Sequence, residues 1–295
     1  MSGTLAIARQ SAAPKDHQSN VILGVLEDVA GEYAGQSDTR KLRAVFQKTS
    51  NEWRPFPTRT RTYLDLKTLP HSYPQQMTWT IAFHGRKLGT VTAHTPAQFD
   101  SYSEIGTELI NSRGPVPTIG KKSVDYGGFP GYSVYRPLVA VSRPNVADPD
   151  NWHRVQPSQG QIEIARNRFR ARFPKVSNCR NADENIGRPW HYRDRDIHVI
   201  AAYTSRQHWL LLDLSLTGYA CDGPTDEPFL DQWFVVRPSG EVSFIGQEMW
   251  LVDAGDYDKS GQSELLFSIS GMDIGGYRLF YRNFTRSAEF IFYYH

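Results

Sequence analysis

Apolar residues recur along this chain in short runs with a two-residue period, bounded by glycine, proline, asparagine or aspartate, and that pattern predicts strands. The runs are Val21–Val29, Lys41–Lys48, Thr78–His84, Lys87–His94, Tyr132–Ser142, Ile197–Thr204, His208–Leu216, Gln232–Arg237, Glu241–Ile245, Gln247–Asp253, Glu264–Ser270, Gly275–Arg282 and Ala288–His295. In TWTIAFH, Trp79, Ile81 and Phe83 share one face and Thr78, Thr80, Ala82 and His84 the other, as a half-buried strand requires. In HWLLLDLSL, Leu210, Leu212, Leu214 and Leu216 line a predicted core face. Between runs, His84-Gly85-Arg86-Lys87 and Pro238-Ser239-Gly240 suit tight antiparallel turns.

Helical spacing is convincing in one segment. Between Gln159 and Pro174, Ile162, Ala165, Phe169 and Phe173 fall on one stripe, which predicts a connecting helix. The fold is therefore expected to be all-β, either a β-propeller-like ring or an irregular multi-sheet antiparallel meander, with one short connecting helix. Residues 1–19 are polar and aperiodic and are expected to form a disordered arm before a single β domain over 20–295, with a candidate sub-boundary near residue 150. Gly106–Gly131 and Pro144–Pro157 are expected to be long ordered loops, because aromatic residues are interleaved with their glycines and prolines.

Of the 295 residues, 39% are hydrophobic and 22% charged, which excludes a disordered or low-complexity chain. Mean hydropathy is −0.51, and no run approaches the roughly 18 apolar residues of a membrane-spanning helix. The first residues lack the apolar centre of a signal peptide, which leaves a cytoplasmic protein or a secreted or periplasmic one whose leader has been removed. Cys179 and Cys221 lack zinc-site or redox-motif spacing and are either free thiols or one disulfide.

The net charge of +2 conceals a gradient: residues 151–206 hold 11 Lys/Arg against 5 Asp/Glu, and residues 207–295 hold 5 against 13. The basic part includes Arg166, Arg168, Arg170, Arg172 and Lys175 on the predicted helix, a face suited to phosphate or simply to water. With acids and bases nearly balanced overall, nucleic acid is not the expected partner.

The densest set of oxygen ligands is Gly255-Asp256-Tyr257-Asp258-Lys259-Ser260-Gly261-Gln262-Ser263-Glu264. Asp256, Asp258 and Ser260 alternate, Gly261 permits a sharp turn, the Gln262 carbonyl adds a ligand and Glu264 returns a carboxylate. Hard oxygens at this density suit Ca²⁺ better than Mg²⁺. An EF-hand is not expected, because position twelve counted from Asp256 is Phe267 and the residues after Glu264 are strand-like. The alternative is an acidic turn that binds nothing.

GDYDKSGQSELLF resembles the calcium loop of FG-GAP/VCBS repeats, the integrin-α-type β-propeller blade, in which Asp-x-Asp-x-Asp-Gly-x-x-Asp precedes an apolar strand. The resemblance covers about one blade, Gln247–His295, and implies that Asp256, Asp258, Ser260 and Glu264 are side-chain ligands. Ser260 and Glu264 both stand where that pattern has Asp, and the first departure implies weaker binding.

Other clusters offer less. Trp190–His198 holds His191, Asp194, Asp196 and His198, and an extended backbone would place Asp194, Asp196 and His198 on one face for acid/base work, though interleaved arginines also suit an exposed edge. Tyr126, Phe129, Tyr132 and Tyr135 crowd a Gly/Pro-rich loop that could stack on a sugar or clamp a peptide. Asp148 and Asp150 flank a proline and are expected to cap the segment after them. No GxSxG, HExxH, P-loop or strand-linked GxGxxG motif is present. The expected function is a calcium-stabilised, non-enzymatic β module that recognises a protein or glycan. The alternative is a hydrolase of sugar or phosphate esters using the 190–198 segment.

Overall fold

Antiparallel pairing builds every sheet among the described residues of the computed structural model, which are 21–29, 39–56, 74, 76–93, 107–109, 117, 137–177, 189–216, 232–271 and 274–293. The arm, both cysteines and the aromatic loop of Tyr126 to Tyr135 lie outside them.

The N-terminal sheet contains β1 (Ile22–Val29), β2 (Thr39–Thr49), β3 (Glu52–Pro55), β4 (Thr78–Phe83), β5 (Arg86–Thr92), β6 (Thr107–Leu109) and β7 (Leu138–Val141). Its order is β3-β2-β1-β7-β4-β5, with β6 also on β2. The β4–β5 turn is closed by His84 and Gly85, both at positive φ (49° and 64°), the twist a two-residue antiparallel hairpin needs. After β8 (His153–Arg154) come α1 (Gln159–Arg172) and the two-residue strands β9 (Val176–Ser177) and β10 (Pro189–Trp190), which pair with each other. Next is a five-stranded sheet in the order β14-β13-β12-β11-β8, from β11 (Ile197–Thr204), β12 (Leu210–Leu216), β13 (Gln232–Val236) and β14 (Val242–Gly246). The last sheet is a meander of β15 (Met249–Gly255), β16 (Glu264–Gly271), β17 (Ile274–Tyr281) and β18 (Arg286–Tyr293).

Among the described residues the protein is thus an all-β stack of sheets of unequal width, none closed into a barrel, with one short α-helix. The strand β7 enters the N-terminal sheet between β1 and β4, pairing with β1 across more than a hundred residues and with β4 across about sixty, which local periodicity does not encode.

The C-terminal sheet is the middle layer. Alternation along its strands sends Val252, Leu266, Leu279 and Phe290 into the core shared with Leu23, Val25 and Trp79. Met249, Leu251, Phe267 and Phe280 point the other way, against Leu211, Trp233 and Val235 of the five-stranded sheet. That sheet's far face, Leu210, Leu212, Leu214 and Leu216, packs on Ala165 and Phe169 of the helix. The helix starts at a reciprocal cap: Gln161 N–H donates to Ser158 Oγ (3.3 Å) and Ser158 N–H to Gln161 Oε1 (2.8 Å). A hydrogen bond joins the first two layers: the Tyr277 hydroxyl donates to Glu27 Oε1 at 2.6 Å, and within the N-terminal sheet Arg43 Nη2 holds the same carboxylate, 3.1 Å from its Oε2.

Candidate metal centre

The acidic loop spans the connection from β15 to β16, so the middle layer presents it where the β2–β3 turn and the chain after β7 also arrive. Its path is fixed at the first residues. A Cβ on Gly255 would stand 2.6 Å from the ring of Tyr257, so the glycine is what lets that ring fold back into the core. Tyr257 is fully buried, and its hydroxyl donates to Asp253 Oδ2 at 3.4 Å.

With Tyr257 pinned inward, Asp256 and Asp258 face the next turn of the loop. Asp256 Oδ1 accepts the N–H of Ser260 (2.7 Å) and Oδ2 that of Gly261 (3.0 Å), while Asp258 Oδ1 also accepts from Ser260 N–H (2.9 Å). Lys259 and Gly261 take left-handed backbone (φ 63° and 84°) to close the loop. Glu264 returns from β16, its Oε2 accepting the Tyr257 N–H at 2.8 Å and its Oε1 the Trp53 indole N–H at 3.4 Å. One carboxylate oxygen each from Asp256, Asp258 and Glu264 then lies within 4.8 Å of the others. Oxygens that close can share a single divalent cation.

Ser260 Oγ sits 3.5 Å from Asp256 Oδ1, beside the carboxylates, and the Gln262 carbonyl oxygen lies 3.4 Å from that hydroxyl. The structure therefore gathers Asp256, Asp258, Ser260, Gln262 and Glu264 in one loop.

The sequence reading missed Lys48 and Trp53. The Lys48 ammonium lies 2.5 Å from Asp258 Oδ2, 5.3 Å from the Trp53 ring centroid and 5.3 Å from that of Tyr281. Three carboxylates thus meet one ammonium. Burial pushes the Glu264 carboxyl well above the usual range and the Asp258 charge adds to this, against the N–H of Tyr257, the Lys48 charge and the Trp53 indole. Burial also raises Asp256, although Gly261 and Ser260 N–H groups oppose it. For Asp258 burial acts upward too, but Lys48 and the Ser260 bonds outweigh it and the carboxyl is lowered.

The opposite side of the loop is bolted to residues 145–150. Asn145 Nδ2 donates to the Asp256 carbonyl (2.9 Å) and Asp256 N–H to the Ala147 carbonyl (2.7 Å). Ser263 Oγ donates to Asp148 Oδ1 (2.5 Å), and Ser263 N–H to Asp150 Oδ2 (2.8 Å). Asp148 also makes the expected caps, accepting from Asn151 N–H (2.9 Å) and Trp152 N–H (2.6 Å).

Comparison with protein-family models, with curated proteins and with solved structures gives no match. The centre is read from its own geometry.

The 190–198 segment differs from its expected form. Asp194–Asp196 is a 3-10 turn rather than extended chain, because Asp196 Oδ2 accepts the Arg193 N–H at 2.7 Å. Asp194 pairs with Arg170, and His191 and His198 are exposed, His198 on β11. The basic helix face is also engaged: Arg166 donates to the Ile197 carbonyl (2.9 Å) and Arg172 lies 3.9 Å from the Phe244 ring centroid. Among the described residues, no helix is long and apolar enough to cross a membrane.

Proposed function

We propose that the protein is a calcium-stabilised β binding module whose loops recognise a protein or glycan, with the ion held by Asp256, Asp258 and Glu264 and completed by Ser260, the Gln262 carbonyl and water. The observation that carries this reading is the charge deficit: three clustered carboxylates, two of them almost fully buried, face a single ammonium among the described residues. Buried carboxylates need protons or cations, and one divalent ion supplies the two missing charges. An all-oxygen donor set completed by a carbonyl and water suits Ca²⁺, and the FG-GAP/VCBS-like order of ligands supports the same assignment. The ion's role is structural. By drawing Asp256, Asp258 and Glu264 together it ties β15 to β16, and through Lys48 and Trp53 it couples the middle sheet to the N-terminal one.

Calcium added to chelator-treated protein tests this. An ion at a hundred times its dissociation constant stabilises the fold by about 2.7 kcal/mol, or several degrees of melting temperature at this size. An unchanged melting temperature at millimolar calcium removes the proposal.

A further inference from the structure

Beside the acidic loop, four chain turns from the N-terminal and C-terminal sheets surround an open cleft of about 900 Å³, within the range of ligand sites. We propose that this cleft takes an acidic oligosaccharide, bearing carboxylate or sulfate groups. The proposal names the ligand class for the binding-module reading above and rests on that reading.

The lining is polar. Asn51, Gln262 and Asn283 offer amides suited to hydroxyl groups, whereas the ring of Tyr281 is buried under Lys48 and Val21 is buried too. A protein partner would need an apolar anchor at the centre, and the described lining residues supply no exposed one. Charge selects the sugar type. Lys48 is committed to Asp258, which lines the cleft with Glu264, whereas the lining residues Lys259 and Arg282 are exposed. Arg282 is steadied by the bond from its Nη2 to the Asn51 carbonyl (2.9 Å), which orients a guanidinium fork suited to carboxylate or sulfate.

Ser50, Lys259, Arg282 and Asn283 all line the cleft with left-handed φ, between 51° and 63°, so the turns that rim it present polar and cationic side chains.

Calorimetric titration tests the proposal with trigalacturonate, a heparin-derived tetrasaccharide, neutral maltotriose and a hexaglutamate peptide, each in calcium and in chelator. Saturable binding of one or both acidic sugars is expected, weakened at least tenfold in Lys259→Gln and in Arg282→Gln and weaker at high salt. Lys259→Gln alters an exposed side chain, so its melting temperature should match the parent and separate lost binding from lost fold. Maltotriose binding equal to the acidic sugars, tighter hexaglutamate binding, or no saturable binding would overturn the proposal. Failure of the calcium reading shows separately, as a melting temperature indifferent to calcium.

Discussion

The Lys48 ammonium stands 2.5 Å from Oδ2 of Asp258 although 210 positions separate the two residues, and it neutralises one of three clustered carboxylates. Asp256 and Glu264, both buried, have no ion-pair partner of their own among the described residues. The energetics of the C-terminal half should turn on that imbalance.

Replacing Lys48 with Met keeps the aliphatic stem between Trp53 and Tyr281 but strands a buried carboxylate. In chelator, Lys48→Met should cost about 2–3 kcal/mol by urea denaturation. Calcium should recover most of this and bind more tightly than to the parent, because no ammonium competes for Asp258. An equal loss with and without calcium would separate Lys48 from the ion.

Glu264→Gln removes a buried charge at nearly constant shape. The calcium-induced rise in melting temperature should disappear, while the calcium-free value stays within a few degrees of the parent. Differential scanning calorimetry reads both. A calcium response that survives the substitution would exclude Glu264 as a ligand.

Stability should also depend on pH with opposite signs in the two forms. Asp256 and Glu264 are raised in the fold, so above their ordinary values of 3.8 and 4.5 the native chain holds protons that the unfolded chain has released. Calcium-free stability contributed by these groups is therefore full below the ordinary values and is lost as pH rises through the raised ones. Asp258, being lowered, acts in the other direction and loses its contribution as pH falls below 3.8. Saturating calcium keeps these ligands ionised in the fold, so the calcium form should gain stability as pH rises through 3.8 and 4.5 and hold it above them, where the calcium-free form declines. Melting curves across this range, in chelator and in calcium, check the crossing.

Ser263→Ala cuts the loop from the 145–150 segment without touching a proposed ligand. Losing the bond to Asp148 and leaving the Asp150 N–H without its Ser263 partner should cost about 1–2 kcal/mol. Calcium affinity should fall only modestly, as titration of the variant would show.

Much of this was legible in the chain itself. Strand periodicity located the main sheet elements, and the stripe of Ile162, Ala165, Phe169 and Phe173 located the helix, since side-chain alternation and helical spacing are local properties. The two-residue strands at His153 and Pro189 carry no period, and Glu52–Pro55 is too short and proline-marked to register. The order of acids in Asp256–Glu264 likewise marked a candidate oxygen site, because loop ligands a few residues apart converge through local backbone turns.

Tertiary structure alone decided what surrounds those acids. Lys48 and Trp53 come from the opposite end of the chain and Asp148 from its middle, and each arrives through sheet packing that no sequence spacing records. Packing of the helix likewise brought Arg170 to Asp194, whereas the Asp194–Asp196 turn itself is closed locally by the bond from Arg193 N–H to Asp196. Local patterns fix which residues can share a face or a loop. Which charge ends up beside which is set by burying apolar layers against each other, and that placed one ammonium among three carboxylates.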